Sequence, residues 1–261
     1  MQASAALVAE VRDGGPTRLV DLRGEPPLLL RRTGTTVDGA ALVYLVGGAA
    51  GPLAGDRLAL HVDLGPGARV EIRSVAATIA LPGGAAGSAW SRLDLTVRVG
   101  PGAELRWLPE PSIAAAGCRH VSRAEIEVAP GGRLRWRDEI VCGRHGEQPG
   151  DLRSELDVRY AARPLLVHDL AVGPDAPGWA GAAVLGGARA VGSLLVVGET
   201  AHGKTGHDET AAHGETGPTA VGPDAATMAL AGPGVLTVAV AADPAELRAR
   251  LEPAHPVASA P

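Results

Sequence analysis

The sequence predicts a mainly β protein made of stacked strand pairs, either β-helix-like or layered, with one short helix near the C-terminus. Three observations lead there. Apolar and polar residues alternate strictly over several segments, a unit of strand, Pro-Gly turn and strand recurs three times, and helical periodicity is nearly absent before Asp243. Alternation with a period of two puts every second side chain on the same face, the mark of a half-buried strand.

The first alternating segment runs from Leu58 to Leu64 and leads into a turn at Pro66. The clearest is Leu93-Asp94-Leu95-Thr96-Val97-Arg98-Val99, followed by a turn at Pro101; Ala124 to Val128 precedes the third turn at Pro130. Arg153 to Tyr160 continues the pattern, with Arg153, Glu155, Asp157 and Arg159 on the wet face. The repeated units read LHVDLGPGARVEI, LTVRVGPGAELRW and AEIEVAPGGRLRW. In each, Pro presets φ for the second turn position and the next Gly supplies the positive φ that a type II turn wants at the third. The chain therefore reverses at each unit. Turn spacings of 35 and 29 residues suit successive strand pairs that cover one another's apolar faces, as in a solenoid. They equally suit the hairpins of a β-sandwich, and periodicity leaves both open.

Towards the C-terminus, Asp243, Pro244 and Glu246 fit the N-cap, first helical position and N3 of a capping box, starting a short helix through Leu251. The whole chain, 1–261, reads as a single β domain. A polar tract rich in Gly, Thr and His at 199–217 is expected to be a flexible loop, and the Pro- and Ala-rich tail from Glu252 to fray.

Composition narrows the functional classes. With 46% hydrophobic and 20% charged residues the chain is that of a folded globular protein. A formal net charge of −5 lacks the basic excess that phosphate neutralisation needs, so nucleic acid is not an expected partner. No basic run addresses an anionic membrane, and no apolar stretch reaches the roughly 20 residues that span a bilayer. The short apolar run Ala5 to Ala9 has no positive segment before it and Glu10 interrupts it, so it is not a signal peptide. Cys118 and Cys142 are the only cysteines and lack zinc-site spacing. Together these features point to a soluble protein of the cytoplasm.

Gly51 to Asp56, Ser74 to Thr78, Trp107 to Ile113 and Trp136 to Glu147, in that order, together resemble the UreD (UreH) family of urease accessory proteins. Gly51-Pro52-Leu53-Ala54-Gly55-Asp56 is similar to the family's glycine-rich loop ending in Gly-Asp, and Ser74-Val75-Ala76-Ala77-Thr78 to its small-residue segment. Trp107-Leu108-Pro109-Glu110-Pro111-Ser112-Ile113 resembles its L-P-E-P stretch. Trp136 to Glu147, with Glu139, Gly143-Arg144 and Gly146-Glu147, resembles in loose form its pattern of Trp, acid, Gly-Arg and Gly-Glu. Ile79, Leu81 and Gln148 stand where the family often has Lys, Tyr and an aromatic. The resemblance implies a β-helix-like stack without enzymatic activity. It also implies binding to apo-urease and a UreF-type partner, which recruits the UreG-type GTPase, and a share in the route of nickel to the urease active site. By the same resemblance no permanently held cofactor is expected, and nickel is expected to pass transiently.

A conduit for nickel needs oxygen and nitrogen ligands that guide the ion and release it. Asp56, Glu110, Glu139 and Glu147 are the carboxylates within the family-like segments, each equally able to cap a turn or serve an interface. Glu110, held between two prolines, is the candidate for the ion route, whereas Asp56 is expected to act through fold or assembly. Gly55, Gly143, Arg144 and Gly146 are interface or structural candidates, with Arg144 placed to brace Glu147. His61, His120, His145 and His168 show no paired spacing and are expected to be satisfied or exposed imidazoles. His202, His207 and His213 offer a weaker metal site in the Gly-rich tract.

Two other functional readings compete. Gly198-Glu199-Thr200-Ala201-His202-Gly203-Lys204-Thr205 matches the phosphate-binding G-x-x-x-x-G-K-T loop, yet Gly206 follows at once where a helix should receive the phosphates. A plain β-rich binding module would share the periodicity but not the ordered family segments. No G-x-S-x-G or H-E-x-x-H occurs to support a hydrolase.

Overall fold

A computed structural model describes residues 1–83, 89–198 and 218–252; the 199–217 tract, with Lys204, His202, His207 and His213, lies outside the described residues, as does the tail from 253. Strand β1 (Gln2–Glu10) with its antiparallel partner β2 (Arg18–Gly24) opens one sheet, and the antiparallel pair β3 (Leu28–Thr35) and β4 (Ala41–Gly47) opens the other. The chain then winds. β5 (Arg57–Leu64) joins the first sheet, β6 (Arg69–Ser74) the second, and β7 (Thr78–Ala80) lies to the side. The next turn repeats this with β8 (Ser91–Val99), β9 (Glu104–Leu108) and β10 (Ser112–Ala114). β11 (Arg119–Val128), β12 (Arg133–Val141) and β13 (Asp151–Tyr160) follow, and β14 (Arg163–Val172) closes the first sheet antiparallel to β13. β15 (Ala190–Val197), β16 (Pro218–Val221), β17 (Ala225–Ala229) and β18 (Gly234–Ala241) extend the second sheet antiparallel, and α1 (Pro244–Leu251) ends the described chain. The result is a β-solenoid of about four turns with one short helix.

The solenoid alternative therefore holds and the hairpin alternative falls. The two strands of each repeated unit do not pair with each other. β5, β8, β11 and β13 run parallel in one sheet, while β6, β9 and β12 run parallel in the other. Turn chemistry supplies the reason. The turns close through Ala68 N–H to Gly65 O (3.1 Å), Ala103 N–H to Gly100 O (3.1 Å) and Gly132 N–H to Ala129 O (2.9 Å). Gly67, Gly102 and Gly131 adopt φ of +70°, +65° and +75°. A type II turn splays its flanking strands rather than twisting them together as a primed hairpin turn does, so each Pro-Gly becomes a corner between facing sheets.

The spacings of 35 and 29 residues are the pairing register itself. Leu64 sits beside Val99, and Val99 beside Val128. In register, inward side chains form columns along the solenoid: Leu7, Val62, Val97, Ile126 and Val158 in the first sheet, and Val43, Ile72, Trp107, Trp136 and Leu195 in the second. All of these side chains are buried. The rings of Trp107 and Trp136 stack with centroids 4.9 Å apart, which lets two large side chains share one column.

The helix begins as its sequence suggests. Asp243 accepts from the N–H groups of Ala245 and Glu246, Pro244 occupies the first turn, and Glu246 Oε2 reaches back to Ala242 N–H (3.2 Å). Leu247 and Leu251 pack into a small core with Leu194, Ala239 and Ala241. This docks the helix on β15 and β18.

The column model makes a contrast testable by urea denaturation. Ile126→Ala should cost about 3 kcal/mol by leaving a cavity between Val97 and Val158, whereas Glu127→Ala, on the exposed face of the same strand, should stay within about 0.5 kcal/mol.

Candidate functional site

Between the two sheets and the side strands the solenoid leaves a cavity of about 490 Å³. Leu60 and Leu95 line it from the first sheet, Trp107 and Trp136 from the second, and Ile79 and Ser112 from the side. It opens to solvent where the exposed Ala49, Ala50, Val75 and Ala76 form a rim of small apolar residues. Its polarity changes along the solenoid axis. One inward column runs Leu58, Leu93, Ser122 and Ser154, so aliphatic side chains give way to hydroxyls in the later turns.

Asp138 faces these hydroxyls from β12. Its Oδ2 accepts from Trp136 Nε1–H (3.0 Å) and from Ser154 Oγ–H (3.2 Å). The carboxyl is enclosed by protein yet keeps accessible surface, because it lines the cavity. Burial, the dominant influence, raises its pKa above the ordinary carboxylate value, against the two donors and the nearby His168. His120 is also inward and buried, with Nδ1 2.9 Å from Ser91 Oγ. Burial lowers its pKa to about 4, which makes it a neutral, satisfied imidazole.

On the outer face of β12 a second set of charges lies beneath α1. Arg248 bridges two carboxylates: Nη2 is 2.7 Å from Glu139 Oε2 and 3.1 Å from Glu110 Oε2, and Nη1 is 3.3 Å from Glu110 Oε1. Glu139 is fully enclosed while Glu110 stays partly exposed at the cavity wall. The paired carboxylates, with Glu139 the stronger hydrogen-bond partner, raise the pKa of Arg248. The buried Arg137 donates to Glu252 Oε1 (2.7 Å) and to the carbonyl of Pro109 (3.0 Å), with Nε 3.6 Å from Glu139 Oε2.

The remaining candidates lie apart from this pair. Asp56 is buried at the end of its loop, accepting from Leu53 N–H (2.9 Å) and paired with the Met1 amino group (2.9 Å). Gly55 takes φ +83° just before it, a conformation suited to glycine. Glu147 grips Arg144 in a two-pronged pair (2.8 and 2.7 Å) and accepts from its backbone N–H. The Arg144 hydrogen bonds lower the Glu147 pKa to about 2. Gly143 (φ +80°) and Gly146 (φ +71°) shape this loop, and a Cβ on Gly143 would lie 2.5 Å from Glu147 O. Arg189 holds the same loop through the carbonyl of Cys142 (2.6 Å). Among the described residues no three of His, Cys, Asp or Glu come close enough to hold a metal ion.

Glu110 and Glu139 are thus brought together, and Asp56 and Glu147 are not. Asp138, Arg137 and Arg248 escaped the sequence reading of the site. Asp138 carried a signal, since it falls in the inward phase of Leu134, Trp136 and Ile140 where an apolar residue is expected. Arg248 carried none, because only the docking of α1 puts it over β12. The strand before the G-x-x-x-x-G-K-T match, β15, lies between two antiparallel neighbours, not in the parallel, helix-flanked sheet of a nucleotide-binding domain.

Fold and site together define a β-solenoid protein with an open interior cavity lined by the enclosed acid Asp138. The family model described as UreD urease accessory protein matches residues 1–260. A urease accessory protein UreD from Parafrankia sp. (strain EAN1pec) is 46% identical, over 97% of this chain and 87% of that protein. UreD 3 of Streptomyces griseus subsp. griseus is 42% identical, over 97% of this chain and 95% of its own. The chain belongs to the UreD family of urease accessory proteins. No helix among the described residues is long and apolar enough to cross a membrane.

The raised pKa of Asp138 gives a signed expectation. The folded protein holds this proton more tightly than the unfolded chain, so the group supports stability below its ordinary value of 3.8 and that support is lost as pH rises through the raised value. Asp138→Asn should therefore be more stable than the parent at about pH 8, with the gain shrinking towards about pH 4. Urea midpoints at the two pH values check this, and a variant weaker at both would mean that the carboxylate is held ionised.

Proposed function

We propose that this chain serves urease maturation as a non-catalytic scaffold, and that the interior cavity carries a nickel ion towards apo-urease. The observation that supports the reading is the cavity itself, which has small exposed residues at its rim and is lined by Glu110, Asp138 and the hydroxyls of Ser122 and Ser154. Sparse oxygen ligands along an otherwise apolar wall hold a borderline divalent cation weakly enough to release it. Of the four carboxylates marked in the sequence, Glu110 lies on this wall. Glu139 sits behind it as the partner of Arg248, while Asp56 and Glu147 act through their loops. The histidines of the 199–217 tract are an alternative acceptor.

Working partners in this reading are apo-urease, a UreF-type protein and the UreG-type GTPase it recruits, with nickel as cargo and no resident cofactor. The family and its named relatives support urease maturation, and the apolar rim suits contact with another protein. Cys118 and Cys142 are free and buried, with burial raising their thiol pKa values to about 12 and about 11. Unreactive thiols of this kind fit a reducing cytoplasm.

In a host with the urease structural and accessory genes, deleting this gene should leave urease subunits present but nearly free of nickel. Ala124→Trp, which fills the cavity from an inward position of β11, should lower the nickel content of urease by about tenfold at equal protein level, after allowing for an overpacking cost of about 2 kcal/mol. Pull-down of the UreF-type partner and apo-urease should remain normal. Full nickel loading in that strain would leave a binding module without a metal-transfer role.

A further inference from the structure

We infer that Arg248 is a positioning residue that clamps the mouth of the interior cavity, so that the C-terminal helix sets how far the mouth opens. The inference rests on the reading of the cavity as the working part of the protein, and adds to it a part of the chain remote from the cavity in sequence.

The connection runs through short contacts. Arg248, on α1, holds Glu110 through both carboxylate oxygens while anchored to the enclosed Glu139. Glu110 donates its own backbone N–H to Ser74 Oγ (2.9 Å), and Ser74 Oγ–H donates to Ala76 O (2.9 Å). One residue on, Pro111 O accepts from Thr78 N–H (3.0 Å). Ser74, Val75, Ala76 and Thr78 all line the cavity, and Val75 and Ala76 form its exposed rim. Arg137 fixes the same segment from below, through Pro109 O and Glu252 at the end of the helix.

Other restraints on this rim are short: Ser74 ends β6 beside Leu45, β7 is three residues long and pairs with the equally short β10, and Val75 N–H donates to Leu45 O (3.1 Å). Short strands with exposed backbone open locally at low free energy, so a clamp on Pro109 and Glu110 acts on the segment most ready to move. The guanidinium suits the task because its planar fork spans two carboxylates at once, which a lysine ammonium on a flexible stem does not. Arg248 is itself partly exposed, so a protein docking beside α1 has direct access to the clamp.

The test is hydrogen exchange on the intact purified chain, read beside urease activation in the host. Arg248→Ala should speed exchange of the Val75 and Thr78 amides by about tenfold while amides of β8 and β11 stay protected. Arg248→Lys should recover only part of that protection. Should Arg248→Ala also expose the Leu247 amide, showing the helix undocked, Glu110→Ala decides: it leaves the Arg248 to Glu139 pair in place and should loosen Val75 and Thr78 alike. Unchanged exchange at both amides in Glu110→Ala, or in Arg248→Ala with the helix still docked, overturns the clamp. A loosened rim with normal nickel loading of urease upholds the clamp and removes the cavity reading. An unchanged rim with poor loading removes the clamp and leaves the cavity reading standing.

Discussion

Parallel pairing of each turn with the next is the constraint on which everything else in this protein depends. An inward side chain is buried only if the turns before and after present an apolar group at the same height, and the registers of 35 and 29 residues bring that about in both sheets at once. A slip by one residue would turn an entire strand's apolar set to the outside. The Pro-Gly corners hold the register because each turn lies directly on the last: Gly67 N–H donates to Pro101 O and Gly100 N–H to Leu64 O.

A solenoid built this way has three kinds of surface, and each is handled differently. Its inward columns are mostly aliphatic or tryptophan, with Ser122, Ser154, His120 and Asp138 as the polar exceptions around the cavity. Its outward face on the second sheet carries ion pairs that cross from turn to turn, as Arg69 and Arg133 do to Glu104 (3.1 and 3.0 Å) and Arg106 to Glu71 (3.3 Å). Pairs of this sort add little stability singly, but they satisfy charges that stack at the same height in successive turns. Its ends would expose open ladders, and antiparallel strands close them, with β2 and β14 on one sheet and β3 and the β15 to β18 extension on the other.

The cavity arises where the repeat is imperfect. Ser122, Ala124 and Ser154 replace larger aliphatic groups in the inward columns, and the space they leave is walled by Trp107 and Trp136. Asp138 occupies an inward position whose neighbours in the strand are apolar, at a cost in desolvation that two hydrogen bonds only partly offset. An enclosed acid with accessible surface in a mainly apolar interior is a local exception to the repeat, of the kind found at functional sites. The outer acid Glu139 differs, since Arg248 and Arg137 neutralise it within the wall.

Much of the fold was legible in the sequence because strand alternation and turn chemistry are local. Leu93 to Val99 declares its own face, Pro101-Gly102 its own turn, and Asp243-Pro244 its own helix start. The family segments at Gly55-Asp56, Pro109-Glu110 and Gly143-Arg144 were likewise readable in order. Periodicity did not reveal which strands pair, because the same alternation serves a hairpin and a solenoid rung; only the register of complete turns against each other decided it. The site divides in the same way. Glu110 and Glu139 could be named as acids from their segments, but Arg248 stands far along the chain in a helix with no motif, and its place between them follows from the packing of Leu247 and Leu251. Charge partners that meet across such sequence distances are set by how elements dock, and docking is decided by the burial of whole apolar faces, which no single segment contains.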